Sequence, residues 1–212
     1  ISGREDEVRE IILDEIRPLA DKIEITPLGN IIALKKGKER APKKLMISAH
    51  MDEAGLMVTH ITDEGLLNFV PVGEIDRRVL PGKSVTVGEN VRGVIGLKPI
   101  HLLKKDEMSK SIPLSKLYID IGAASREEAE KAVKPGDEVT FDSVFDASGK
   151  AIKGRALGGR AGCAILIGMM RHGLKYDAVF AFTVQEETGL CGSETAAYGV
   201  HPAAAIVVDA TA

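Results

Sequence analysis

Three short apolar runs, at 45–49, 178–184 and 204–208, each give way at once to residue types that bind divalent metals. The first is followed by His50-Met51-Asp52-Glu53, the second by Gln185-Glu186-Glu187 and the third by Asp209. Short runs of this kind, rich in β-branched residues, predict buried parallel strands. In an open α/β sheet, ligands bind just beyond the carboxyl ends of the strands. The pattern therefore gathers one histidine and several carboxylates at one sheet rim. Upstream, Val8, Ile11, Ile12, Ile16 and Leu19 recur at helical spacing, and the helix stops near Pro18. Ser2 and Glu5 precede it with the Ser-x-x-Glu spacing of a capping box. Residues 23–25 and 31–34 predict a hairpin around Pro27-Leu28-Gly29-Asn30.

The pattern changes in the middle of the chain. Alternating runs at 56–61, 66–72, 84–87, 91–97, 117–121 and 138–141, punctuated by Gly and Pro, predict a small β-rich barrel or sandwich. One helix, at 125–133, opens with a second Ser-x-x-Glu box at Ser125 and Glu128. The domain reading is an α/β domain at 1–57 and 151–212, interrupted by an inserted β-rich domain at 58–150. After the insertion come a small-residue helix at 161–171, the strand at 178–184, a helix near 193–198 and the strand that ends at Asp209. The chain reads as cut at both ends, opening in a loop before a helix and closing three residues past Asp209.

Composition narrows the classes. The 212 residues include 44% hydrophobic positions, which suits a real core, and the net charge is −3, with Lys and Arg spread along the chain. That charge leaves no footprint for nucleic acid or an anionic membrane surface, and no run is long enough to cross a bilayer. With no signal-peptide pattern, the two cysteines, Cys163 and Cys191, read as reduced thiols of a cytoplasmic protein, with a disulfide between them left open.

Each element of the candidate site has a plainer reading beside the chemical one. His50-x-Asp52 could be a metal-binding His oriented by a carboxylate, or a strand-end His beside a solvated Asp. Glu186-Glu187 could place one carboxylate on a metal and the other beside it for a proton, or could be a solvated acidic turn. Asp209 could be a metal ligand or a helix N-cap. Their convergence on one rim makes the set more specific than any member.

The chain resembles the dinuclear metallo-aminopeptidases of the tetrahedral (TET) type, which include glutamyl aminopeptidases and proteins once labelled cellulase M or endoglucanase. The resemblance rests on Ile47-Ser48-Ala49-His50-Met51-Asp52-Glu53-Ala54-Gly55, Lys98-Pro99-Ile100-His101 and Tyr118-Ile119-Asp120-Ile121-Gly122-Ala123. It continues through Val184-Gln185-Glu186-Glu187-Thr188-Gly189 and Val207-Val208-Asp209, in the same order. It implies a metallopeptidase-type α/β sheet with helices on both faces and an inserted, barrel-like β-rich domain that takes part in oligomer contacts. It implies His50 as a metal ligand with Asp52 behind it, Glu186 as the general base, and Glu187 and Asp209 as ligands of two divalent ions, zinc or cobalt. The implied activity is hydrolytic removal of N-terminal residues from peptides. The implied assembly is a homo-oligomer, dimers building a tetrahedral dodecamer.

Two departures qualify the resemblance. The family carries a metal-bridging Asp in a segment of the form Ala-Leu-Asp-Asp/Asn-Arg-x-Gly, and here it reads Ala156-Leu157-Gly158-Gly159-Arg160-Ala161-Gly162. Gly158 stands at the bridging position and cannot coordinate; without that carboxylate two nearby cations lose their shared counter-charge. The family's last His ligand is expected in a C-terminal section beyond this chain. The alternative function is therefore a catalytically impaired member with a structural or regulatory role in an oligomer. A further alternative, glycoside hydrolysis, needs two carboxylates flanking a sugar cleft, and Glu186 and Glu187 are adjacent.

Overall fold

A computed structural model describes residues 1–97 and 112–210. The chain divides into two compact units: one holds Ile1 and the described part of Ala54–Arg155, the other Ser2–Glu53 and the chain from Ala156 onward. The segment at 98–101, singled out in the sequence, lies outside the described residues.

In the second unit, α1 (Asp6–Ile16) leads into β1 (Lys22–Ile25), β2 (Ile31–Lys35) and β3 (Leu45–His50). The predicted hairpin is present, antiparallel, with Ile25 opposite Ile31. In the first unit, β4 (Gly55–Ile61), β5 (Leu67–Val72), β6 (Ser84–Val87), β7 (Val91–Leu97), β8 (Leu117–Asp120) and β9 (Glu138–Phe141) close a six-stranded barrel in the order β4-β5-β8-β7-β6-β9. Its interior is apolar, with Leu56, Leu67, Val85, Val87, Ile119 and Val139 fully shielded from water. The short helix α2 (Arg126–Ala129) starts as the sequence predicts, with the Ser125 hydroxyl accepting from the Glu128 amide.

The second unit then resumes with α3 (Leu157–Arg171), β10 (Ala178–Thr183), α4 (Cys191–Val200) and β11 (Ala204–Val207). The sheet order is β1-β2-β10-β3-β11, with β10 and β11 both parallel to β3. β3 and β10, buried on both faces, need apolar side chains in both directions, which is why their runs are continuous rather than alternating. The third run is a correction: β11 lies at the end of the sheet order and all four of its residues are exposed. Phe180 and Phe182 are fully buried with Ile12, Ile16, Leu166 and Met170 of α1 and α3 on one face. On the other face, Ala196 and Val200 of α4 pack on Met46 and Ala181. The fold is thus an α/β sheet with helices on both faces plus a closed β-barrel. Among the described residues, no helix is long and apolar enough to cross a membrane.

Two local expectations are corrected. α3 begins at Leu157, four residues before the predicted start, so Gly158 and Gly159 lie in its first turn. The Ser2–Glu5 pair makes no capping box: α1 starts at Asp6 with no side-chain cap, and both side chains are engaged elsewhere. The buried Asp52 carboxylate accepts from the Ser2 hydroxyl, and the Glu5 side chain accepts from the Gln185 amide.

Candidate active site

The parallel register sets the rim. Thr183 of β10 lies opposite His50 of β3, and Val207 of β11 lies opposite Ser48. The residues that follow each strand therefore leave the sheet side by side. His50 is held from both ends of its ring: Nδ1 lies 3.2 Å from Asp52 Oδ1, and Nε2 lies 3.6 Å from Asp209 Oδ1. Helix α3 closes on it from one side. A Cβ at Gly159 would stand 2.4 Å from His50 Nε2 and from the His50 carbonyl, so only glycine permits this approach. The Cys163 thiol donates to the same carbonyl at 3.2 Å, and Arg160 Nε donates to Met51 O at 3.1 Å.

Asp52 is the hub. It is 1% exposed and accepts from the Ser2 hydroxyl at 2.7 Å and from the amides of Glu186 and Glu187 at 3.1 Å each, besides facing His50. Burial opposes its charge, but the hydrogen bonds from His50, Ser2 and the two amides outweigh it and hold the carboxyl at about 2. Burial likewise works against charge on His50. The hydrogen bond to Asp52 and the negative charges of Asp52, Asp209 and Glu186 prevail, so its pKa lies above the ordinary 6.5. The site is thus a place where a positive charge, a proton or a metal cation, is favoured. Burial pushes the Cys163 thiol up to about 12, which suits packing rather than nucleophilic chemistry. Both cysteines are unpaired.

The residues named from the sequence are distributed as follows. His50, Asp52 and Asp209 form one connected chain, and Glu186 is near enough to His50 for its charge to act on the ring. Glu187 reaches the same hub through its backbone. Three residues with a part in this network carry no local signal of it: Glu5, Asn30 and Thr188. Their partners lie far away in sequence, 180 residues for Glu5 and 154 for Asn30.

The fold and this rim define an α/β protein with one histidine and several carboxylates gathered at the carboxyl ends of its parallel strands. The chain belongs to the M42 glutamyl aminopeptidase family, whose model matches residues 29–212. A relative from Acetivibrio thermocellus is 44% identical over 213 residues, covering 100% of this chain and 62% of its own length. The TET aminopeptidase of a marine-sediment Thaumarchaeota archaeon has a TM-score of 0.92 at 34% identity, covering 98% of this chain and 62% of that one. The Pyrococcus horikoshii TET1 peptidase, which can assemble into a tetrahedron or a large octahedral shell, has a TM-score of 0.85 at 42% identity, with 99% and 64% covered. The chain therefore spans about six-tenths of the length of these relatives.

The family is of the metallo-aminopeptidase type and implies divalent metal ions. Among the described residues, no three His, Cys, Asp or Glu side chains are grouped to hold a metal. At Gly158 a Cβ would meet only Asp209 Oδ1, at 3.7 Å. A Cβ is therefore tolerated beside Asp209, and Gly158 supplies no side chain there.

Proposed function

We propose that the protein of which this chain forms part is an aminopeptidase, hydrolysing the first peptide bond of peptides with a free amino terminus. The observation that carries this reading is the Asp52 hub. One buried carboxylate holds His50 through a ring nitrogen and Glu186 and Glu187 through their backbone amides. Such a link fixes His50 at the rim and sets the Glu186-Glu187 segment beside it, with the charge of Glu186 acting on the ring. Glu186 takes the proton from the attacking water and returns it to the leaving amine. The negative field of Asp209 and the glutamates favours the protonated amino terminus of a peptide over a blocked one. Homo-oligomeric assembly, with the β-barrel unit contributing contacts, is proposed from the assembly of the Pyrococcus relative. A cytoplasmic setting is supported by the two unpaired cysteines.

The test is release of N-terminal residues from free and acetylated short peptides by the full-length protein, read by mass spectrometry. Free peptides should be cut and acetylated ones spared, and Glu186→Gln should slow cutting by about 100-fold or more. Equal rates for Glu186→Gln and the natural protein would sink the assignment. A second reading, a family member impaired in catalysis, is favoured by one observation: the open space at Gly158 beside Asp209. Under it, Gly158→Asp raises both zinc bound per chain and peptide cleavage.

A further inference from the structure

The loop that carries Glu186 and Glu187 is pinned in an unusual way. Four successive amides, those of Val184, Gln185, Glu186 and Glu187, each donate to a side-chain oxygen. Val184 N donates to Asn30 Oδ1 at 3.0 Å and Gln185 N to Glu5 Oε1 at 3.0 Å. Glu186 N and Glu187 N go to the two oxygens of Asp52, at 3.1 Å each. The acceptors are inaccessible to water: Asn30 is 0% and Glu5 is 5% exposed. Each is itself held in place. Asn30 Nδ2 donates to Gly192 O and Thr195 Oγ1, both at 3.0 Å, and Glu5 Oε1 also accepts from Gly3 N at 2.8 Å. The Ser2 hydroxyl, bonded to Asp52, lies 3.2 Å from Thr188 Oγ1 at the far side of the loop.

The backbone these groups hold is strained. Gln185 has φ 53°, in the left-handed region that a side chain disfavours. Left to itself, such a peptide relaxes, and the direction in which the next side chain leaves the backbone changes with it. Hydrogen bonds from amides to buried carboxylates are about twice as strong as neutral ones, enough to offset a strained residue.

We propose that Glu5 and Asn30 are positioning residues for Glu186. With Asp52 they fix the turn at Gln185 and hence the direction of the Glu186 carboxylate over the rim. The residues that the sequence pairs as a helix cap, Ser2 and Glu5, thus serve the loop after β10 instead. This inference rests on the reading of Glu186 as the group that takes the proton, and adds the N-terminal segment to the machinery that aims it.

The experiment compares Glu5→Ala, Glu5→Gln and Asn30→Ala in the full-length protein. Two quantities are read: kcat and KM on a short free peptide, and amide exchange of residues 184–190 against that of β3. Glu5→Ala should lower kcat by about tenfold with KM little changed, since misplacing a reacting group costs rate more than binding. Exchange should quicken in 184–190 and stay unchanged in β3. Glu5→Gln keeps an oxygen acceptor and should recover most of the loss, and Asn30→Ala should repeat the pattern of Glu5→Ala. The proposal is overturned if Glu5→Ala leaves kcat or loop exchange unchanged. It is equally overturned if loop and β3 exchange rise together with no recovery by Gln, which would mark a general loss of folding. If the natural protein cleaves no peptide, the Glu186 reading fails instead, and the exchange pattern alone decides whether Glu5 and Asn30 hold the loop.

Discussion

Asp52→Asn is the substitution that bears most directly on this site. The side chain keeps its shape but loses its charge, and one of its oxygens becomes an NH2 group. That group meets a backbone N–H, because the loop reaches both oxygens of Asp52 through the amides of Glu186 and Glu187. Two costs combine. The carboxyl is held at about 2 against an ordinary 3.8. That difference corresponds to about 2 kcal/mol of folded-state stability. An amide left without an acceptor in a buried place costs about 1–3 kcal/mol. The expected destabilisation at neutral pH is therefore about 2–4 kcal/mol, the two costs overlapping in part. The pH dependence has a definite sign. The folded-state value lies below the unfolded one, so the ionic part is fully present above about pH 4 and is lost as the pH falls towards about 2. Urea unfolding of chelator-treated protein, read by pulsed hydrogen exchange on peptides from β3 and β10, gives the difference between the two proteins at pH 6 and pH 2.5. The gap should narrow by most of its ionic part at the lower pH. A gap below about 0.5 kcal/mol at pH 6, or one that is the same at both pH values, would refute the reasoning.

The glycine pair at the start of α3 provides a contrast within two adjacent positions. Gly159→Ala drives a Cβ to within 2.4 Å of His50 ring and backbone atoms and should destabilise by about 1–3 kcal/mol in thermal or urea unfolding. Gly158→Ala meets only an oxygen at 3.7 Å and should be neutral or stabilising by up to about 1 kcal/mol, as alanine is the better helix former. Thiol titration under native conditions should find Cys191 reactive and Cys163, buried and pushed up to about 12, silent until the protein is unfolded.

Much of the fold was legible in residue order. β3 and β10 declared themselves because burial on both faces demands continuous apolar runs, and the barrel strands because one-sided burial demands alternation; β11 carries the same kind of run but is exposed. β6, β7 and β9 appear at the bounds that alternation predicts. That His50, Glu186, Glu187 and Asp209 stand at or just past the ends of parallel strands was legible too, because each follows directly on an apolar run. The departure at Gly158 was equally plain, since a missing side chain needs no geometry to be noticed. What residue order left open was partnership. Ser2 and Glu5 have the spacing of a helix cap, and local spacing cannot report that stronger acceptors and donors wait elsewhere. Asn30 reads as an ordinary turn residue, yet its side chain bridges the end of β10 to α4. Nothing in residue order marks Gly159 as fixed by packing, and only the structure shows that His50 fills the space where any side chain would go. Sequence periodicity records which way each residue faces along its own element. The contacts that aim Glu186 join residues 134 to 180 positions apart, and they exist only once the sheet has set those elements side by side.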